Sequence, residues 1–140
     1  MSVIDTTTEL GRRVSGQLES DEIVWLTTVG ADGTPQPSPV WFLWTEGEFL
    51  ILSQPDKPKL RNIARNPRVA LNFNGDRLGE EVATFTGTAR LDDVAPTSTE
   101  MAAFTAKYID STVRIGYTSE QFHAAYSVPL RVTPEKLRGF

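Results

Sequence analysis

The sequence predicts an α+β fold: a six-stranded antiparallel β-barrel with helices at its periphery. Three observations carry this. Runs of strand length and strand composition recur along the chain. Turn signals join most of them as hairpins. The long crossovers that parallel strands require are few, which argues against a doubly wound sheet. With 140 residues, the natural expectation is one domain spanning residues 1–140.

The elements follow in order. A helix is expected from about Thr7 to Glu19, with Thr6 and Glu9 at capping-box spacing and Leu10, Val14 and Leu18 on one face. Glu22 to Val29 reads as a strand, apolar at Ile23–Leu26 and β-branched beyond. Asp32-Gly33 is a hairpin signal, because this pair tolerates the positive φ such turns need. A second strand runs from about Gln36 to Trp44. Pro35, Pro37 and Pro39 place it at an edge or a bulge, or turn its amides toward a ligand. Glu46-Gly47-Glu48 leads into a third strand, Phe49 to Ser53.

Lys57 to Arg65 reads as a short helix, with Asp56 as N-cap, Pro58 in the first turn and Pro67 as the stop. Strands follow at Arg68–Asn74 and Val82–Leu91. A helix from about Thr97 to Ile109 opens on the capping-box pair Thr97 and Glu100. A shorter one near Glu120–Ala125 opens on Thr118 and Gln121. Tyr126 to Thr133 is the last strand.

Composition narrows the function. Net charge is −4 and the pI is near 5.0, which argues against a nucleic-acid coat protein. There is no cysteine, so a disulfide framework, a Cys-ligated metal and thiol catalysis are excluded. No signal-peptide pattern opens the chain and no apolar run reaches membrane-spanning length, so a cytoplasmic protein without membrane partners is expected. The single histidine, His123, cannot build a zinc site, and no metal is expected. The acidic pairs Glu80-Glu81 and Asp92-Asp93 read as solvated turn charge. No P-loop and no GxGxxG stands in the chain. With so little side-chain machinery, an enzyme built from this sequence relies on a bound cofactor for its chemistry.

Two segments stand out. Lys57 to Arg68 holds five basic residues and no acid, on an otherwise acidic chain. It begins where a strand feeds a helix N-terminus, which favours a phosphate. Ser53 is placed to offer a hydroxyl, Lys57 and Lys59 lie in the first turn, and Asn62 lies a turn later. The plainer reading is a solvated basic helix. The second segment, Gly33 to Phe42, interrupts a strand with prolines and so leaves backbone groups free to read the edge of a planar heterocycle, with Trp41 nearby to pack on it. Its plainer reading is a bulged edge strand with aromatic core residues.

Taken in order, these pieces resemble the pyridoxamine 5′-phosphate oxidase-like split β-barrel superfamily. The carriers are Ala31-Asp32-Gly33-Thr34-Pro35, Pro39-Val40-Trp41-Phe42, Phe49–Ser53, Lys59-Leu60-Arg61-Asn62-Ile63 and Asn66–Leu71. Within the superfamily the chain is most similar to the actinobacterial flavin/deazaflavin oxidoreductases that use coenzyme F-420. The resemblance implies a split barrel that forms a homodimer with cofactor sites at the subunit interface. It implies that Ser53, Lys57, Lys59 and Asn62 hold the phosphate region, and that Ser38, Val40 and Trp41 border the ring, largely through backbone.

Pro58 stands where the flavin-mononucleotide oxidases commonly carry arginine, and Leu43 and Trp44 stand where a basic residue is usual. These departures favour the deazaflavin branch, whose anionic tail suits Arg61 or Arg65. The expected activity is hydride transfer from reduced coenzyme F-420 to an unsaturated small-molecule acceptor. The alternatives are an FMN-dependent reductase or oxidase of the same fold, and a flavin- or haem-binding protein without turnover, for which His123 is the available haem ligand. The catalytic acid is not identified; Tyr126 and His123 are its candidates.

Overall fold

One residue closes the barrel. In the computed structural model, which describes residues 2–140, seven antiparallel strands form a single sheet: β1 (Ile23–Val29), β2 (Pro35–Trp41), β3 (Leu43–Thr45), β4 (Glu48–Ser53), β5 (Arg68–Asn72), β6 (Ala83–Leu91) and β7 (Val128–Gly139). Their order is β2-β1-β5-β6-β7-β4-β3. The two edges of this sheet, β2 and β3, are neighbours in the chain with only Phe42 between them. The chain leaves one edge and becomes the other, so the α+β split barrel is joined at Phe42 and open beside it. Four helices complete the fold: α1 (Glu9–Ser20), α2 (Pro58–Arg65), α3 (Ser98–Arg114) and α4 (Ser119–Ala125).

The strand expected over Gln36–Trp44 is therefore two strands, which raises the count from six to seven. Helix α3 supplies the reason. The Phe42 amide donates to the Tyr108 hydroxyl at 2.8 Å, and the Phe42 carbonyl accepts from Lys107 Nζ at 2.9 Å. Tyr108 has one proton to give, and two carbonyls lie within reach: Glu22 at 2.6 Å and Phe42 at 2.9 Å. Side chains thus satisfy a buried peptide that leaves the ladder, as a buried polar backbone requires. Lys107 also lies 3.7 Å over the Phe42 ring. Burial lowers its ammonium pKa to about 8. Helix α3 bends at Tyr108 itself (φ −111°, ψ 16°) and continues to Arg114, past the expected end at Ile109.

Four boundaries also differ. The α1 N-cap is Thr8, not Thr6, because the Asp5 carboxylate accepts from the Thr7 amide and the Asp5 carbonyl from the Thr8 amide, which delays the helix. Lys57, not Asp56, is the N-cap of α2. Asp56 takes a left-handed φ of 62°, and no side chain caps the helix. Tyr126 is the C-cap of α4 and not the start of the last strand. Strand β7 runs on to Gly139 because a register shift opposite Thr86/Gly87 takes up Glu135 as the extra residue, after Pro134 pairs with Gly87. Gly87 permits that shift: a Cβ there would stand 2.2 Å from the Thr133 carbonyl oxygen. The capping boxes of α3 and α4 form as expected.

Two apolar clusters result. The barrel interior holds Leu26, Phe42, Phe49, Leu71, Phe85 and Leu130, sealed by Val14 and Leu18 of α1. The second packs Phe104, Tyr108 and Phe122 of α3 and α4 against Leu50 and Leu52 of β4, with Trp41 beside them. Each fully buried Phe or Leu contributes roughly 1.5–3 kcal/mol. A buried ion group ties α3 to β7: Arg131 donates to both oxygens of Glu100 at 2.7 and 2.9 Å and to Asp92 at 2.9 Å.

Two outcomes follow. Tyr108→Phe leaves the Phe42 amide and the Glu22 carbonyl without their partner, and is expected to lower stability by about 1–3 kcal/mol in urea unfolding. The Arg131 guanidinium, with the Thr97 amide and the Thr45 hydroxyl, lowers the Glu100 carboxyl from 4.5 to about 2. A lowered folded-state pKa favours the folded protein above the unfolded value. The Glu100 contribution is therefore complete above about pH 4.5 and declines as pH falls toward 2. Glu100→Gln should show a shallower stability loss than wild type across that window.

Candidate functional site

The site begins as a gap in the hydrogen-bond ladder. Strand β3 pairs only with Glu48–Leu50 of β4. Further along, Ile51–Ser53 have β7 on one side and no strand on the other. The free edge of β2 borders the same space. Its prolines stand opposite Val29, Thr27 and Trp25 of β1. Proline has no amide to exchange, so Gln36, Ser38 and Val40 make the ladder bonds and the alternate residues turn outward. This sends the Pro39 carbonyl and the Trp41 amide and carbonyl to the open edge. The same logic holds across the gap. Pro129 stands opposite Leu52 and gives its carbonyl to the Asp92 amide at 3.0 Å, so the backbone groups of Leu52 also point away from β7.

Between these edges lies a cleft of about 340 Å³. Val40, Trp41, Ser53, Lys57 and Lys59 of the expected residues line it, while Ser38 and Asn62 do not. Ser38 pairs with Leu26 in the β1–β2 ladder. Asn62 is 4 % exposed and faces inward. Its Nδ2 donates to the Thr28 hydroxyl at 3.0 Å and to Gln36 Oε1 at 2.8 Å, and its Oδ1 accepts from Arg65 at 2.7 Å. Asn62 thus clamps α2 to β1 and β2 one turn after Lys59.

The polar end of the cleft is cationic. Among the described residues, neither Lys57 nor Lys59 side chain has a hydrogen-bond or ion-pair partner in the protein. Burial, with the Lys57 charge beside it, holds the Lys59 ammonium below the ordinary lysine range. The first turn of α2 carries no acid and no side-chain cap; Pro58 has no amide and the Leu60 amide donates to the Lys57 carbonyl at 3.0 Å, so the free Lys59 amide and the helix dipole reinforce the two ammonium groups. Ser53 is 2 % exposed and donates its proton to the Gln54 carbonyl at 2.8 Å, which leaves its oxygen free to accept.

The other end is apolar, formed by Leu52, Ile115, Phe122 and Tyr126. Trp41 stacks on Tyr108 (4.6 Å, 6°) and on Phe122 (5.2 Å, 25°), so α3 and α4 hold its ring in place at the cleft. Phe122 and Tyr126, four residues apart behind the Thr118 capping box, carried a readable signal as one helix face. Ile115 carried none, because α3 was expected to end before it. Gln54 is a further lining residue outside the expected set. His123 does not line the cleft. Its Nε2 pairs with the Thr105 hydroxyl at 2.9 Å, its Nδ1 is buried without a partner, and burial lowers its pKa.

This donor set fits a planar heterocycle that carries a phosphate. Strand-edge backbone groups would meet such a ring, the apolar wall would cover it, and the unpartnered cations would meet the anion. The comparisons with known proteins bear on the same point. The sequence profile described as pyridoxamine 5′-phosphate oxidase matches residues 10–139. No curated protein matches the chain. Among solved structures, an F420 reductase is 26% identical, with a TM-score of 0.62 over 89% of this chain and 94% of that one. The haem storage protein HutZ from Vibrio cholerae is 18% identical, with a TM-score of 0.67 over 94% and 95%. General Stress Protein 26 from Bacillus anthracis is 20% identical, with a TM-score of 0.71 over 95% of each chain. The last two show the fold alone.

Proposed function

The chain belongs to the pyridoxamine 5′-phosphate oxidase family, and from that premise we propose that it is an oxidoreductase that holds reduced coenzyme F-420 in the gap between β2 and β4. One observation carries the reading: two unpartnered lysines at an uncapped helix N-terminus lie beside unpaired backbone groups of a split sheet. In this reading the Lys57 and Lys59 side chains and the Lys59 amide hold the phosphate, and Ser53 joins them by turning its hydroxyl from the Gln54 carbonyl to a phosphate oxygen. The Pro39 carbonyl and the Trp41 and Leu52 backbone groups read the ring edge, next to Val40. Ser38 keeps β2 in register, and Asn62 holds α2 against it. The bound coenzyme supplies the hydride. Leu52, Ile115 and Phe122 exclude water from the ring, so the acceptor is an uncharged unsaturated molecule that meets no charged group at the apolar end.

FMN would use the same phosphate and ring contacts and is the competing cofactor. The deazaflavin is favoured because Arg61 is exposed and its guanidinium, which donates to the Asp56 carbonyl at 3.2 Å, adds positive charge at the start of α2 for a longer anionic tail. The 26% identity to an F420 reductase supports the same choice. His123 pairs with Thr105 and does not line the cleft, so the haem reading loses its histidine ligand at this site.

A second copy of the chain belongs to the reading. Ile23, Trp25, Thr27 and Val29 of β1 alternate outward, half-buried, and the three apolar ones pack against neither cluster. Ala70 of β5 and Thr86 of β6 continue this face. A homodimer that buries it would place the partner at the β2 edge, beside the cleft.

Tryptophan-fluorescence titration tests the cofactor. Coenzyme F-420 is expected to bind more tightly than FMN, and Lys59→Ala to weaken binding by roughly 1.5–3 kcal/mol, as for a charge-assisted hydrogen bond. Unchanged affinity in that variant would remove the phosphate assignment. For the dimer, light scattering should report twice the 15.5 kDa chain mass. Ala70→Arg should yield a folded monomer with weakened cofactor binding. A wild-type monomer would sink the interface.

A further inference from the structure

The rings behind the cleft form one column. Tyr108 stacks on Trp41 at 4.6 Å and 6°, Trp41 on Phe122 at 5.2 Å and 25°, and Phe122 on Tyr126 at 4.4 Å and 13°. Trp41 and Phe122 therefore each stack on two rings of this series. Tyr108 is 1 % exposed, with Phe104 at 4.9 Å and Lys107 Nζ at 5.2 Å from its centroid, so that end is closed. Tyr126 differs. It lines the cleft and is half-buried, and its other ring neighbour, Tyr117, stands perpendicular at 6.4 Å. The column has one end without a parallel ring, and that end is in the cleft.

We propose that Tyr126 is the stacking platform of the site, a binding residue that takes the cofactor ring in its oxidised form, a flat, electron-poor heterocycle, as the next ring of the column. The inference rests on the reading of the cleft as a flavin-type site. Aromatic rings attract one another in offset-parallel geometry, and an electron-rich phenol is matched to an electron-poor partner. The platform is rigid because Tyr126 caps α4: its amide donates to the Phe122 carbonyl at 2.8 Å, and its ring rests on Phe122. Its hydroxyl has no partner among the described protein groups, so ring stacking is the role the surroundings leave to it. Lys59, at the cationic end, serves the phosphate instead. The two contributions are separable with ligands that share a ring and differ in phosphate.

The test titrates riboflavin and FMN into wild type, Tyr126→Leu, Tyr126→Phe and Lys59→Ala, and records ring fluorescence and visible absorption. Tyr126→Leu is expected to weaken both ligands by the same factor, roughly 3- to 10-fold for one aromatic pair, and to abolish the red shift of the stacked ring. Tyr126→Phe should keep most of both signals. Lys59→Ala should weaken FMN and leave riboflavin unchanged. Trp41 emission in the ligand-free variants, unchanged from wild type, shows that the column stands. Wild-type affinity for both ligands in Tyr126→Leu would overturn the platform while the cofactor reading survives. So would loss of FMN alone. Failure of wild type to bind riboflavin, FMN and coenzyme F-420 would overturn both.

Discussion

The Phe42 peptide is the constraint on which this structure depends. A strand that passes from one sheet edge to the other must leave the ladder somewhere, and a buried peptide outside the ladder needs partners. Lys107 and Tyr108 provide them from a helix that lies far along the chain. The same contact stacks Tyr108 on Trp41 and so fixes the residue that borders the cleft. Closure of the barrel and opening of the site are therefore one event. Without the break at Phe42, β2 would continue into β3 and the edges of Trp41 and Leu52 would have no gap between them.

The second constraint is electrostatic. An acidic protein keeps two ammonium groups without a counter-charge at one end of a cleft, and desolvation already lowers one of them. In a stable fold such an arrangement is tolerated because α2 is held from behind. Asn62 locks it to β1 and β2, and Leu60 and Ile63 bury its apolar side. The Arg131–Glu100 pair makes the contrast. There the charges are matched, buried and hydrogen-bonded, and they serve to join α3 to the barrel.

Much of this was legible in the sequence because the signals are local. The alternating prolines, the basic run after Asp56 and the threonine capping boxes each act within a few residues. Asn62 was read as a phosphate residue; the partners that turn it inward, Thr28 and Gln36, lie 34 and 26 positions away. What could not be read depends on distant partners. The break at Phe42 is caused by residues 65 and 66 positions later. The continuation of β7 depends on a bulge opposite Gly87, and the polar run after Pro134 hides it. The stacking of Trp41 depends on α3 and α4 meeting at the sheet edge. Local propensity carries no information about such meetings.

The central claim is that the open edges of β2 and β4 hold the cofactor. Its most direct test is an amide-resolved NMR titration of the uniformly ¹⁵N-labelled protein with coenzyme F-420. The account predicts the largest shifts at the backbone amides of Trp41, Leu52 and Lys59. Shifts confined to other surfaces, with these three amides unmoved, would contradict it.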